Sequence, residues 1–167
     1  MPLYKIFNGP MPTTAAQAVV TTGTAIKTML QVKLVASMKG KIKEWGISFD
    51  GSAAATPGKV ELCETGTVFA TVTASAAADI TKYGDAGAPT STIYFSVGTA
   101  ATGYTASAEG TITAIRMFDA VLLPPTQPYF YQFPLGLEPE INADSACRIR
   151  VTFGAAINAY CWMLIEV

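Results

Sequence analysis

A chain of 167 residues with 11 basic and 12 acidic side chains, a net charge of −1 and no histidine has no electrostatic footprint for nucleic acid, and it lacks the usual general base and zinc ligand. Charged residues make up only 14%, against about 25% in an average soluble protein, while hydrophobic residues reach 50%. No apolar run approaches the roughly 20 residues that span a bilayer, so this excess of apolar residues points to burial against other subunits, with a well-filled β core of small residues as the alternative.

The chain opens on "MPLYKIFNGP", which lacks the apolar stretch of a secretory signal and points to cytoplasmic synthesis. "NGPMPTTAAQAVVTTGTA" is small, polar and proline-containing. Residues 1–23 are therefore expected as an extended N-terminal arm, ordered on a neighbour or left free, and residues 24–167 as one β-sandwich domain. "TAIKTMLQVKLVAS" opens that domain as a strand. In "KIKEWGISFD", Trp45, Ile47 and Phe49 share a face with Ile42 out of phase. That mismatch predicts a β-bulge near Lys43 and Glu44, followed by a tight turn at Asp50-Gly51.

"GKVELCE" pairs Val60 with Leu62, and "GTVFATVTA" after Gly66 is expected as its hairpin partner. "TASAAADITKYG" allows one short helical turn without an apolar stripe at helical spacing. "STIYFSVG", "GTITAIRMFDAVLL" and "YFYQFPLG" are further strand candidates, the last with Tyr129, Tyr131 and Phe133 as a core stripe. "CRIRVTF" alternates most cleanly: Cys147, Ile149, Val151 and Phe153 face a core, leaving Arg148 and Arg150 on a wet face.

The final strand, "AYCWMLIEV", is apolar on both sides, with Tyr160, Trp162 and Leu164 opposite Cys161, Met163, Ile165 and Val167. One face belongs in a core; the other needs a second subunit or a further layer of the same chain. The fold class is all-β, an antiparallel two-sheet sandwich of roughly eight or more strands with little helix and a jelly-roll-like topology.

Chemistry-bearing groups are sparse. Glu61 with Glu64, and Glu138, Glu140 and Asp144, are the carboxylates near enough in sequence for glycosidase chemistry; the second group could also hold calcium, and a solvated acidic turn explains it better. Cys63, Cys147 and Cys161 are odd in number, follow no paired spacing and fit reduced, buried thiols. Lys39, Lys41 and Lys43 form the only basic cluster, either guarding a sheet edge or meeting an acidic neighbour. No catalytic residue, metal ligand or cofactor is assigned. The candidate interface comprises Tyr160, Trp162 and Met163 with Lys39, Lys41 and Lys43.

"KEWGISFDG", "ATPGKVELCETGT", "YQFPLGLEPEI" and "CRIRVTFGAAINAYCWMLIEV" resemble small β proteins of tailed bacteriophages, found among head decoration (cement) and related virion proteins. The likeness runs from about Thr22 to the C-terminus and is faintest between Ala74 and Gly110. It implies a non-enzymatic jelly-roll-like protein, made in the bacterial cytoplasm, that forms a homotrimer or homodimer. Such a protein binds the major capsid protein on the virion surface and bridges capsomers, with no nucleic-acid or membrane partner. A glycan- or host-binding module and a tail or neck component are the alternatives.

Overall fold

The computed structural model describes residues 1–51 and 56–167. Its strands are, in chain order, β1 (Leu3–Phe7), β2 (Val20–Thr21), β3 (Lys27–Lys33), β4 (Gly40–Phe49), β5 (Gly58–Glu64), β6 (Thr71–Ala74) and β7 (Ile80–Tyr83). There follow β8 (Gly103–Ala108), β9 (Arg116–Leu123), β10 (Tyr129–Gln132), β11 (Glu140–Ile141), β12 (Ala146–Thr152) and β13 (Asn158–Glu166). Helical structure among the described residues is limited to two single 3-10 turns, Ala77–Asp79 and Ser91–Ile93.

Two antiparallel sheets stack as the sandwich that the period-two pattern predicts. One runs β10-β4-β13-β1-β7, with β11 also on β4 and β2 on β13; the other runs β6-β8-β3-β12-β5-β9. Among the described strands no two that are consecutive in the chain pair with each other. Many successive strands instead cross between the two sheets, as β3, β4 and β5 do.

This corrects two expectations. β5 pairs with β12 and β9, while β6 pairs with β8, so "GKVELCE" and "GTVFATVTA" do not form a hairpin. The turn expected at Asp50-Gly51, which runs into residues outside those described, does not join paired strands either: β4 and β5 lie in different sheets, and the Gly51 N–H donates to Pro125 O at 2.9 Å. The bulge is present. Glu44 faces Leu164 and Ile42 faces Ile165, so Lys43 is passed over and Ile42 rejoins Trp45 on the core side.

The core is filled by the inward alternates: Tyr4 and Ile6 of β1, Trp45 and Ile47 of β4, Leu62 of β5, Ile149 and Val151 of β12, and Met163 and Ile165 of β13. β1 lies between β13 and β7, with Tyr4 and Ile6 fully buried. The expected arm boundary at residue 23 is thus drawn too late. Leu3–Phe7 belongs to the sheet because its alternate residues complete the core, and only the stretch between β1 and β2 has arm-like texture. "STIYFSVG" likewise forms no named strand: Tyr94 and Phe95 pack against Tyr4, with ring centroids 5.7 and 5.3 Å away, while Ser91–Ile93 coils. Filling the core met the apolar demand, and the backbone makes only an isolated antiparallel bridge from Phe95 to Leu34.

The face expected to be wet on β12 is covered. Arg148 points away from the core yet is 0% exposed, because the segment after β5 and the chain beyond β8 fold over it. Its guanidinium donates to the carbonyls of Glu109 and Val68 and pairs with the Glu109 carboxylate at 3.4 Å. Gln31 beside it bonds Ala70 and Ala101, and Ala70, Val72 and Ala106 form a second small apolar cluster. Arg150 is 8% exposed and pairs with Glu61 at 2.7 Å.

Candidate interaction surface

On the outer face of the seven-stranded sheet, Leu3, Lys5 and Phe7 of β1 lie in register with Glu166, Leu164 and Trp162 of β13, which face Lys41, Glu44 and Gly46 of β4. The chain supplies most of the cover that this second side of β13 needs. The Tyr160 hydroxyl donates to Gln17 O in the segment after β1. Leu164, in register between Lys5 and Glu44, lies beneath their 3.2 Å ion pair and is 6% exposed.

Trp162 lies flat over Gly46 and stacks obliquely on Phe7, the ring centroids 6.4 Å apart. The Lys5 ammonium sits 5.2, 5.4 and 5.7 Å from the rings of Trp162, Tyr83 and Phe7, so the aromatic faces are already shared with a cation. Glycine is required at 46 by this close approach: a Cβ there would come within 2.2 Å of the indole. Gly46→Ala is expected to destabilise by about 1–3 kcal/mol through overpacking. Trp162 emission should shift to the red when read in a Trp45→Phe background.

Of the candidate interface residues, Met163 lies in the sandwich core at 0% exposure and is not available to a second subunit, whereas Tyr160 and Trp162 are half-buried. The lysines do not guard an edge, since β4 is flanked by β13 on one side and by β10 and β11 on the other. Their acidic neighbours belong to the same chain. Lys39 pairs with Glu140 at 3.0 Å, and Lys43 with Glu138 at 2.9 Å and Glu166 at 2.8 Å; Lys41 stands in register between Glu140 and Glu166.

The hydrogen bond from Lys43, with backbone donors, holds the Glu138 carboxyl down to about 2. A depressed folded-state pKa means that the unfolded chain binds the proton first. This pair therefore stabilises fully above the ordinary value of 4.5, and its contribution drains away as pH falls towards about 2. Across that acid window melting temperatures should fall less steeply for Lys43→Met than for the parent chain.

The remaining groups do not converge on a reaction centre. Alternation puts Glu61 and Glu64 on opposite faces of β5; Glu61 holds Arg150, and Glu64 holds Arg116 and the Asn142 amides beside a groove of about 370 Å³. Glu138, Glu140 and Asp144 are each taken by a different lysine, and no three potential ligands gather among the described residues. All three cysteines are free and buried, as read from their spacing. Burial pushes the Cys63 thiol up to about 11 and raises those of Cys147 and Cys161 well above the ordinary thiol value, which withholds the reactive thiolate.

The large exposed apolar groups lie elsewhere. Met117 and Leu122 are exposed on β9, and Phe130 is 55% exposed, Tyr131 40%, Leu135 92% and Leu137 73% on β10 and the loop that follows it along the β4 edge. The core-stripe reading of this segment holds for Tyr129 and Phe133, which pack on the core, and fails at Tyr131. The available signal was the absence of any charge from Ala120 to Leu137. Comparisons of the chain with protein-family models, curated proteins and solved structures give no match.

Proposed function

We propose that this chain is a non-enzymatic structural protein of a phage virion, a decoration or cement protein that self-associates and stabilises an icosahedral capsid by bridging capsomers. The observation that carries this reading is the distribution of polar and apolar groups on a rigid sandwich. The ion pairs engage charged side chains with one another inside the chain, while a set of large apolar side chains remains outside on an edge and its adjoining loop. That division favours adhesion to protein surfaces over chemistry on a small molecule. The resemblance of the four sequence stretches to head decoration proteins supports the choice of partner.

Mechanically, a capsid under internal pressure fails at its seams. A body that buries over about 1,000 Å² across each seam adds adhesion, and many identical contacts on one shell act together. The reading is tested by adding purified protein to undecorated heads. Saturable, stoichiometric addition that raises the temperature of DNA release is the expected result. Absence of binding to heads, with binding to tails or to glycans on an array, would move the protein to the tail or host-recognition role.

A further inference from the structure

Besides the two-residue strands β2 and β11, four described strands end the two sheets, and they are not equally protected. β9 carries Arg116 and Asp119 and a register shift opposite Leu62 and Cys63. β6 has a register shift of its own, and β7 carries Lys82 and lies against the Ser91–Ile93 turn. Charges, irregularities and cover are the usual devices against edge-to-edge pairing. β10, with the sequence Tyr129-Phe130-Tyr131-Gln132, has none of these within it.

Its hydrogen-bonding direction follows from the register. The Phe133 N–H donates to Lys43 O at 2.9 Å, so alternate residues Tyr131 and Tyr129 also turn their amides towards β4. Phe130 and Gln132 turn theirs outward, where no described residue receives them. A strand edge with open amides, flanked by Leu135 and Leu137 and free of charge from Ala120 to Leu137, is suited to one occupant above others. A two-fold axis sets each residue against a copy of the same surface, so any charge near the axis meets its like. A charge-free edge is the condition under which self-pairing carries no such penalty.

We infer that β10 is the self-association edge, joining two copies of this chain antiparallel about a two-fold axis at Tyr131. With the axis there, Phe130 of each copy faces Gln132 of the other and they exchange both outward amide bonds, giving four across the joint. A centre on Phe130 would set Gln132 opposite Pro128, which lies outside β10 and has no amide to return the bond. Tyr131 faces its own copy as a non-bonded pair, at about 4.5 Å between Cα atoms. Leu135 and Leu137 then supply apolar contact beside a short ladder. The inference rests on the self-association included in the proposed function and names its surface.

The test uses the full chain. The three native thiols are buried, so an introduced cysteine is the accessible one. Mild oxidation should convert Tyr131→Cys into a disulfide-linked dimer, because a Cα separation of about 4.5 Å lies within the range that a disulfide spans. Phe130→Cys and Gln132→Cys should each stay monomeric on a non-reducing gel yet cross-link when mixed. Phe130→Lys, at a site already 55% exposed, should abolish the dimer in sedimentation with the melting temperature retained.

Cross-linking of Tyr131→Cys no greater than that of an exposed control such as Thr113→Cys would overturn the inference. So would a parent chain that sediments as a monomer or trimer, or a dimer that survives Phe130→Lys. Head addition is scored separately: a monomer that still decorates heads refutes this edge alone, and a dimer that ignores heads refutes the capsid reading alone.

Discussion

Arg148→Ala is expected to lower the unfolding free energy by about 3–5 kcal/mol, measured by urea denaturation. The guanidinium is fully buried on the outer side of β12, and three of its contacts lie on segments that cover it: Glu109 through both carbonyl and carboxylate, and Val68 through its carbonyl. Removing it strands two acceptors and leaves Glu109 without its cation. Glu109 also accepts from the Thr28 N–H at 2.6 Å and hydroxyl at 2.5 Å, so it remains partly anchored. Glu109→Gln should therefore cost less than Arg148→Ala. Arg148→Met, which fills the same channel without a charge to desolvate, should fall closer to the parent chain than Arg148→Ala does. If Arg148→Ala matched the parent, the covering segments would not depend on this side chain.

Trp45→Ala is expected to cost a comparable amount, about 3–5 kcal/mol, by a different route. The indole is fully buried in β4, packs 5.2 Å from Tyr129 and donates to Asp119 at 3.2 Å. The Tyr129 hydroxyl donates to the same Asp119 oxygen at 2.8 Å, so one carboxylate on β9 ties β4 and β10 of the opposite sheet. Burial and Asp119 together push the Tyr129 phenol up to about 12. Trp45→Phe keeps most of the packing and loses the hydrogen bond, so its cost should be nearer 1–2 kcal/mol. A double-mutant cycle of Trp45→Phe with Asp119→Ala should be strongly non-additive, because the two groups share one contact. Near-equal losses for Trp45→Phe and Trp45→Ala would show that the bond to Asp119, rather than the cavity, dominates.

Both positions bear on what a sequence can disclose. Trp45 was legible as a core residue because it shares a period-two face with Ile47 and Phe49. The bulge was legible because Ile42 broke that period. Arg148 was not, since alternation states only that it points away from Ile149. Whether that direction leads to water depends on the segments holding Val68 and Glu109, eighty and thirty-nine residues distant. For the same reason Lys43 was recognisable as a cation seeking an acid, but not as one whose acids, Glu138 and Glu166, lie on the loop before β11 and on the last strand. The sequence placed the candidate interface on Tyr160, Trp162 and Met163, where the structure supplies the core and self-made cover. For Phe130, Leu135 and Leu137 its one signal was the absence of charge from Ala120 to Leu137, which an ordinary core run shares.

Strand identity was settled along the chain itself: residue alternation, turn chemistry and the burial of three unpaired cysteines are local or compositional properties, fixed by where successive side chains must point. Pairing was settled only in three dimensions. Among the described strands no neighbours in the chain pair with each other, so each of these ladders joins distant segments, and their register depends on which apolar faces fill the space between two sheets. That space is a property of the assembled body, which is why β1 became an inner strand, "STIYFSVG" became core filling without a ladder, and β10 was left with its edge open.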